Sequence, residues 1–191
     1  MLQDLITSKT RVKLLTLLLD APHEMYHVRE LVRKTSDEIN AVRRELAFLE
    51  NKGILVKEHR ANRLYYSLSK SYPFHSDLLK IGVKIIGLGA EFLKNKAKLG
   101  KIKYAMFSGS FVKRLEKNAD KVDFLVVGTI VLPELAVLVR NEEARLQTEI
   151  NYTVMTEDEF EFRKKKHDPF ITEVLSQSRV MLVGDEESML E

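Results

Sequence analysis

The pattern that most restricts this chain lies between residues 37 and 68, where the hydrophobic period changes from that of a helix to that of a strand. Ile39, Val42, Leu46 and Leu49 recur at spacings of three, four and three, which lines them up as one buried stripe on a helix over about residues 37–51. Lys52-Gly53 closes it, with glycine at the usual C-terminal cap position. Beyond it, Leu64, Tyr66 and Leu68 alternate with polar or exposed positions, the period of a half-buried strand. The segment ILVKEH, the tip Arg60-Ala61-Asn62 and the segment RLYYSLS therefore predict a β-hairpin with a basic, Asn-containing tip.

Two helices are predicted before this unit. Leu14, Leu15, Leu18 and Leu19, with Ile6 and Val12 ahead of them, keep helical spacing until Ala21-Pro22 stops it. Around residues 27–34, Val28, Leu31 and Val32 share one face, and Thr35-Ser36 makes a turn with Ser36 as the expected N-cap of the next helix. Three short helices followed by a hairpin is the order of a winged helix-turn-helix, assigned here to residues 1–72. Such a unit lays its second motif helix in the major groove of DNA. With the stripe buried, that helix presents Glu38, Asn40, Ala41, Arg43, Arg44 and Ala47 outward. Asn pairs bidentately with adenine and Arg with guanine, whereas Arg60, Asn62 and Arg63 at the hairpin tip suit phosphates or a minor groove. The candidate DNA-binding residues are thus Ser36, Asn40, Arg43, Arg44, Arg60, Asn62 and Arg63. The plainer alternative is an amphipathic helix whose Arg pair is merely solvated.

Charge is distributed unevenly. Residues 1–70 carry thirteen Lys/Arg against nine Asp/Glu, whereas residues 101–191 carry thirteen against seventeen, within a net charge of +3. A basic first part points to an anionic partner there. There is no cysteine, which excludes disulfides and thiolate metal sites and fits a reducing cytoplasm. No apolar run reaches the length of a membrane span. Arg11 and Lys13 interrupt the first apolar segment, which is expected to be a folded helix rather than a signal peptide.

Residues 5–70, with TSDEINAVRRELAFLENKGIL and the wing VKEHRANRLYYSL, resemble the winged helix of arsenic-repressor-type bacterial and archaeal regulators. The resemblance implies operator binding, and the helix order with the glycine-containing helix that follows points to a homodimer. Many of those regulators sense metals through cysteine or His/Asp clusters, and this chain departs from them. His23 and His27 stand four apart, but beside Pro22 and with no third ligand in view, so no metal site is expected.

Residues 73–100 are expected to form a linker, with one long helix over about 75–99. It contains Gly82, Gly87 and Gly89, each costing about 1 kcal/mol relative to Ala inside a helix. Close packing on a symmetry mate or on the first helix is the expected reason. From 101 to 191 strand and helix patterns alternate. Strands are predicted at 102–107, 122–127, 149–155 and 179–183, and helices at 111–116, 132–145, 156–166 and 169–175, a small mixed-sheet α/β domain. The whole chain is therefore read as α+β.

Residues 104–128, YAMFSGSFVKRLEKNADKVDFLVVG, run from a strand through Gly109-Ser110 and a helix into a strand with an acid. This resembles the DNA-polymerase-β-type nucleotidyltransferase family. That family's signature implies a glycine that lets backbone approach phosphate and alternating strand carboxylates that share two Mg²⁺ ions. Gly109, Ser110 and Asp123 match it. Lys121 stands where the first strand acid belongs, Asp120 is out of phase unless the strand bulges, and the third acid is Glu149 or absent. Asp123 and Glu149 are thus read as vestigial, no catalytic residue and no metal ligand is expected, and Gly109, Ser110 and Lys121 are candidate nucleotide contacts.

Taken together these features point to a cytoplasmic, sequence-specific transcription regulator that binds double-stranded DNA as a homodimer. Its second domain would be nucleotidyltransferase-like and inactive, serving to sense a ligand or bind a protein partner. No cofactor is expected. The alternatives are an active nucleotidyltransferase using Mg²⁺ and a nucleoside triphosphate on a protein or small molecule, and an antitoxin-type interaction protein that autoregulates.

Overall fold

Contacts within the chain divide it into two units, Met1–Ile86 and Gly87–Glu191. A computed structural model describes residues 2–115 and 121–191. The expected helix at 111–116 and Asp120 fall partly or wholly outside the described residues.

In the first unit the described helices are α1 (Leu2–Leu5), α2 (Lys9–Asp20), α3 (Val28–Thr35), α4 (Ile39–Asn51) and α5 (His75–Ile85). A short strand β1 (Tyr26–His27) precedes α3, and β2 (Leu55–Arg60) and β3 (Arg63–Leu68) follow α4. The strands pair antiparallel in the order β1-β3-β2. This is the arrangement of a winged helix-turn-helix. Its core is the set the periodicity marked: Leu14, Leu18, Leu31, Val42 and Leu46 are fully buried, and Leu49, Leu55, Tyr66 and Leu68 nearly so.

Two local expectations are corrected. Ser36 is not the N-cap of α4. It is left-handed (φ 55°) at the C-terminal cap of α3, where its N–H donates to Val32 O. Glu38 caps α4 instead, accepting from Asn40 N and Ala41 N at 2.8 and 3.0 Å. The turn between the helices needs a residue with positive φ, so Ser36 is taken up by the end of α3 and the capping oxygen comes from two residues further on.

The single helix over 75–99 is also corrected. α5 ends at Ile85, Ile86 is extended, and a separate helix α6 (Gly87–Lys94) begins. The three glycines have different reasons. Gly82 packs α5 on α2: a Cβ there would lie 3.0 Å from Leu19 Cβ. Gly87 has φ +55°, which an L side chain adopts only at a cost. Gly89 is buried.

The second unit continues with β4 (Gly100–Ser108), α7 (Gly109–Val112), β5 (Phe124–Ile130), α8 (Leu132–Leu146), β6 (Tyr152–Met155), α9 (Glu157–Lys165), α10 (Pro169–Ser176), β7 (Arg179–Val183) and α11 (Glu186–Leu190). The strands form a mixed sheet in the order β6-β5-β4-β7, with β5 and β6 parallel and the other pairs antiparallel. Tyr104, Met106, Leu125, Val127 and Met155 pack on one face against Phe160, Ile171, Val174 and Met189 from α9, α10 and α11. On the other face Phe124 meets Phe107 and, from α6, Phe92, with ring centroids 4.6 and 5.1 Å apart. α8 packs against α6.

One polar group is buried on that side. Glu142 of α8 is 4% exposed and forks onto Arg145, with Nε to Oε2 at 2.8 Å and Nη2 to Oε1 at 2.7 Å. Arg114 Nη2 stands 3.8 Å from Oε1. Gly87 passes directly over this fork, and any Cβ there would lie 2.6 Å from Arg145 Nη2.

Candidate nucleic-acid interface

The position of α4 is set from α2. Near its start, Lys13 Nζ donates to Asp37 Oδ1 at 2.6 Å and to Thr35 O at 2.8 Å. Further along, Glu45 accepts from Ser8 Oγ and Arg11 Nε, both at 2.7 Å. Arg11 also lies over the Phe48 ring, 3.7 Å from its centroid, a cation–π contact. The Lys13 hydrogen bond holds the Asp37 pKa below the usual carboxylate range. At Glu45, burial pushes the pKa up, but the hydrogen bonds from Ser8 and Arg11 outweigh it and the net shift is downward. Both carboxylates therefore prefer to be charged, and α4 is fastened just ahead of its cap, at Asp37, and again at mid-length, at Glu45.

With Val42, Leu46 and Leu49 buried, Asn40, Arg43, Arg44 and Ala47 are exposed. The two arginines differ. Arg43 borders a groove of about 520 Å³ that is also lined by Ile39, by Arg29 of α3 and by Asn62 and Arg63 of the hairpin. Arg44 does not line it. Both arginines lie within electrostatic reach of Glu38, and Arg44 also within reach of Glu45.

The hairpin turn is Ala61-Asn62, with Arg60 and Arg63 as its closing pair. All four residues are exposed. Arg60 is engaged on its own strand, its Nε donating to Glu58 Oε1 at 2.8 Å, an exposed pair that lowers the Glu58 pKa. Such a pair contributes little to stability, but it offsets much of the charge that Arg60 would offer a phosphate. Arg63 makes no ion pair among the described residues.

The groove exposes residues that periodicity did not single out. His27, Arg29 and Arg33, together with Arg63, line a second stretch that adjoins the first. Arg29 and Arg33 are four apart on α3, a spacing that puts both on one face. That signal was present in the sequence, but α3 was read only for its apolar side. His27 belongs to a two-residue strand against β3, too short to leave a period. His23 is exposed in the preceding turn. Among the described residues, no group of three His, Asp or Glu is placed to hold a metal ion.

In the second unit, the segment 108–110 joins β4 to α7. Gly109 N donates to Ser178 O at 2.6 Å, and a Cβ on Gly109 would overlap the Ser178 hydroxyl. Ser110 Oγ and Ser108 Oγ are 3.0 Å apart. Asp123 lies just before β5, with its Oδ2 accepting from Asn151 N at 3.0 Å. Asn151 Nδ2 in turn donates to Lys121 O at 3.2 Å.

Two expectations about this segment change. Lys121 and Asp123 do not alternate along a strand, because β5 starts only at Phe124. Glu149 is exposed in the loop before β6 rather than on it. Since Phe124 pairs with Tyr152, the residue level with Asp123 is Asn151, a neutral amide.

No protein-family model and no curated protein matches this sequence. Among solved structures the chain is similar to the reduced form of HlyU from Vibrio cholerae N16961, with 23% identity over 42% of this chain and 83% of that one and a TM-score of 0.33. It is similar to Rv0081 of M. tuberculosis, with 22% identity over 47% of this chain and 83% of that one and a TM-score of 0.36. Neither likeness is close enough to assign a function. Among the described residues, no helix is long and apolar enough to cross a membrane.

Proposed function

We propose that this protein is a cytoplasmic transcription regulator that binds duplex DNA through α4 and the β2–β3 hairpin. The observation that carries the reading is the outward face of α4, where Asn40, Arg43 and Arg44 stand exposed on a helix fastened from behind at Asp37 and Glu45. A rigid helix bearing an amide and two guanidiniums is suited to base edges in the major groove. Arg63 and Asn62 at the hairpin supply contacts to the backbone or minor groove, with Arg60 contributing less because Glu58 holds it.

Binding takes place as a homodimer, with half-sites about one helical turn apart. The test is selection of bound fragments from genomic DNA with purified protein at stated salt. A recurring paired motif is expected, and retention of no DNA at low salt overturns the reading.

The second unit is read as a nucleotidyltransferase-like domain without catalysis. The succession of β4, Ser108-Gly109-Ser110, β5 led by Asp123 and parallel β6 supports the likeness. The Asp123 carboxylate accepts from Asn151 N, and with Asn151 level with it and Lys121 ahead of it, one carboxylate among the described residues stands where two metal ions would need several. Gly109 is tied to Ser178, which leaves Ser110 and Lys121 as candidate nucleotide contacts in a unit that senses a ligand or docks a partner. Labelled nucleoside triphosphates with Mg²⁺ or Mn²⁺ and lysate are expected to label nothing. Labelling that is lost in Asp123→Ala would replace this reading with the enzyme.

A further inference from the structure

The adjoining stretches of groove between α3, α4 and the hairpin contain an unbalanced concentration of charge. Arg29, Arg33, Arg43 and Arg63 line them with His27, and none of the four guanidiniums is drawn into an ion pair among the described residues. The contrast within the same unit is sharp. Arg11 is held by Glu45, Lys13 by Asp37, Lys57 by Glu50 and Arg60 by Glu58. Of the four, Arg43 has a carboxylate, that of Glu38, within electrostatic reach, but no ion pair closes there among the described residues. Cations crowded along one concave strip repel one another, and this costs stability unless a polyanion lies there.

We infer that this strip is a clamp for one phosphodiester strand of DNA, with Arg29 and Arg33 of α3 gripping the backbone from one side and Arg63 of the hairpin from the other. The inference rests on the DNA-binding reading and deepens it, since the motif's first helix becomes part of the interface rather than a support for α4. Three elements meet there. β1 pairs Tyr26 and His27 with Tyr66 and Tyr65 of β3, so the start of α3 is tied by backbone hydrogen bonds to the strand that carries Arg63. The separation of Arg29 and Arg33 from Arg63 is therefore fixed by the sheet and not by flexible loops. Guanidiniums suit the role because their planar fork meets two phosphate oxygens at once. Contacts of this kind carry affinity and register but no sequence information.

The experiment measures the affinity of the full chain for a mixed-sequence DNA duplex across a salt series. The proteins are the wild type, Arg29→Ala/Arg33→Ala, Arg29→Lys/Arg33→Lys and, as a control, Lys96→Ala/Lys98→Ala, two exposed lysines of the second unit. Circular dichroism confirms that each variant is folded. Each lost phosphate contact flattens the slope of log K against log salt by roughly 0.9, so the double alanine variant should flatten it by roughly 1.8. The lysine variant keeps the wild-type slope, and so does the control. A wild type that binds but whose slope is unchanged in Arg29→Ala/Arg33→Ala overturns the clamp while leaving α4 and the hairpin as the interface. An equal flattening in the control also overturns it, as a mere effect of net charge. A wild type that retains no duplex at low salt overturns the DNA-binding reading itself.

Discussion

Lys13 and Asp37 join α2 to the turn that launches α4, Nζ to Oδ1 at 2.6 Å, and the same ammonium reaches the carbonyl of Thr35 at 2.8 Å. One cation thus ties down the end of α3 and the residue before the α4 cap.

Replacing Lys13 by Met removes both bonds while keeping the stem. It is expected to cost about 1 kcal/mol, the net worth of a charge-assisted hydrogen bond at a half-exposed site, read as a lower urea midpoint. The pH dependence changes too. The Asp37 pKa is lowered in the fold by Lys13 first, with Thr10 adding to it against the opposing effect of burial. Its contribution is therefore present above the unfolded value of about 3.9 and is lost as pH falls through the lower folded value. Lys13→Met should make the acid limb of the stability curve shallower below about pH 4. An unchanged acid limb would show that the pair is formed but immaterial.

Ala61, at the tip of the hairpin, is left-handed with φ 49°. An L residue there costs about 1–2 kcal/mol, which glycine avoids at the expense of unfolded-state entropy. Ala61→Gly should stabilise the first unit by roughly 0.5–1 kcal/mol, visible as a raised melting temperature. A lowered one would contradict the backbone geometry.

Gly87 combines a positive φ with the Glu142–Arg145 fork directly over it. Gly87→Ala must strain the backbone and displace the ends of Glu142, which is buried, and Arg145, which is exposed, at a cost of about 1–3 kcal/mol, most of it from the positive φ. Equilibrium unfolding of the full chain measures this, and a loss below about 1 kcal/mol would mean that the fork yields freely.

Gly109 sits against Ser178, whose Cβ and carbonyl oxygen would each stand 3.0 Å from an added Cβ and whose hydroxyl would overlap it. Gly109→Ala is expected to destabilise the fold by about 1–3 kcal/mol. Ser178→Gly in the same chain should restore part of that loss, since it removes the hydroxyl but not the carbonyl. A Gly109→Ala protein of full stability would free this glycine for the phosphate role that the sequence suggested.

The sequence by itself determined the elements whose cause is local. The stripe Ile39, Val42, Leu46 and Leu49 fixed α4 and hence its outward face, because a helix needs only its own period to decide which side is buried. Alternation fixed the hairpin, and the expected strand at 179–183 is β7 to the residue. The helix expected at 156–166 is α9, and Thr156 caps it by accepting from Glu159 N. Tertiary structure alone decided what depends on partners distant in the chain. The helical period runs on through residues 75–94 and contains three glycines, so Gly87 does not by itself single out the break at Ile86. The conformation of Gly87 goes with the Glu142–Arg145 fork, far along the sequence. Gly109 read as a phosphate glycine until Ser178 filled the space beside it. Arg29 and Arg33 drew no reading from the sequence, because only the groove they share with Arg63 sets them apart. Pairing of charge is a matter of distance in space, and a linear pattern shows which charges exist but not which of them are left without a partner.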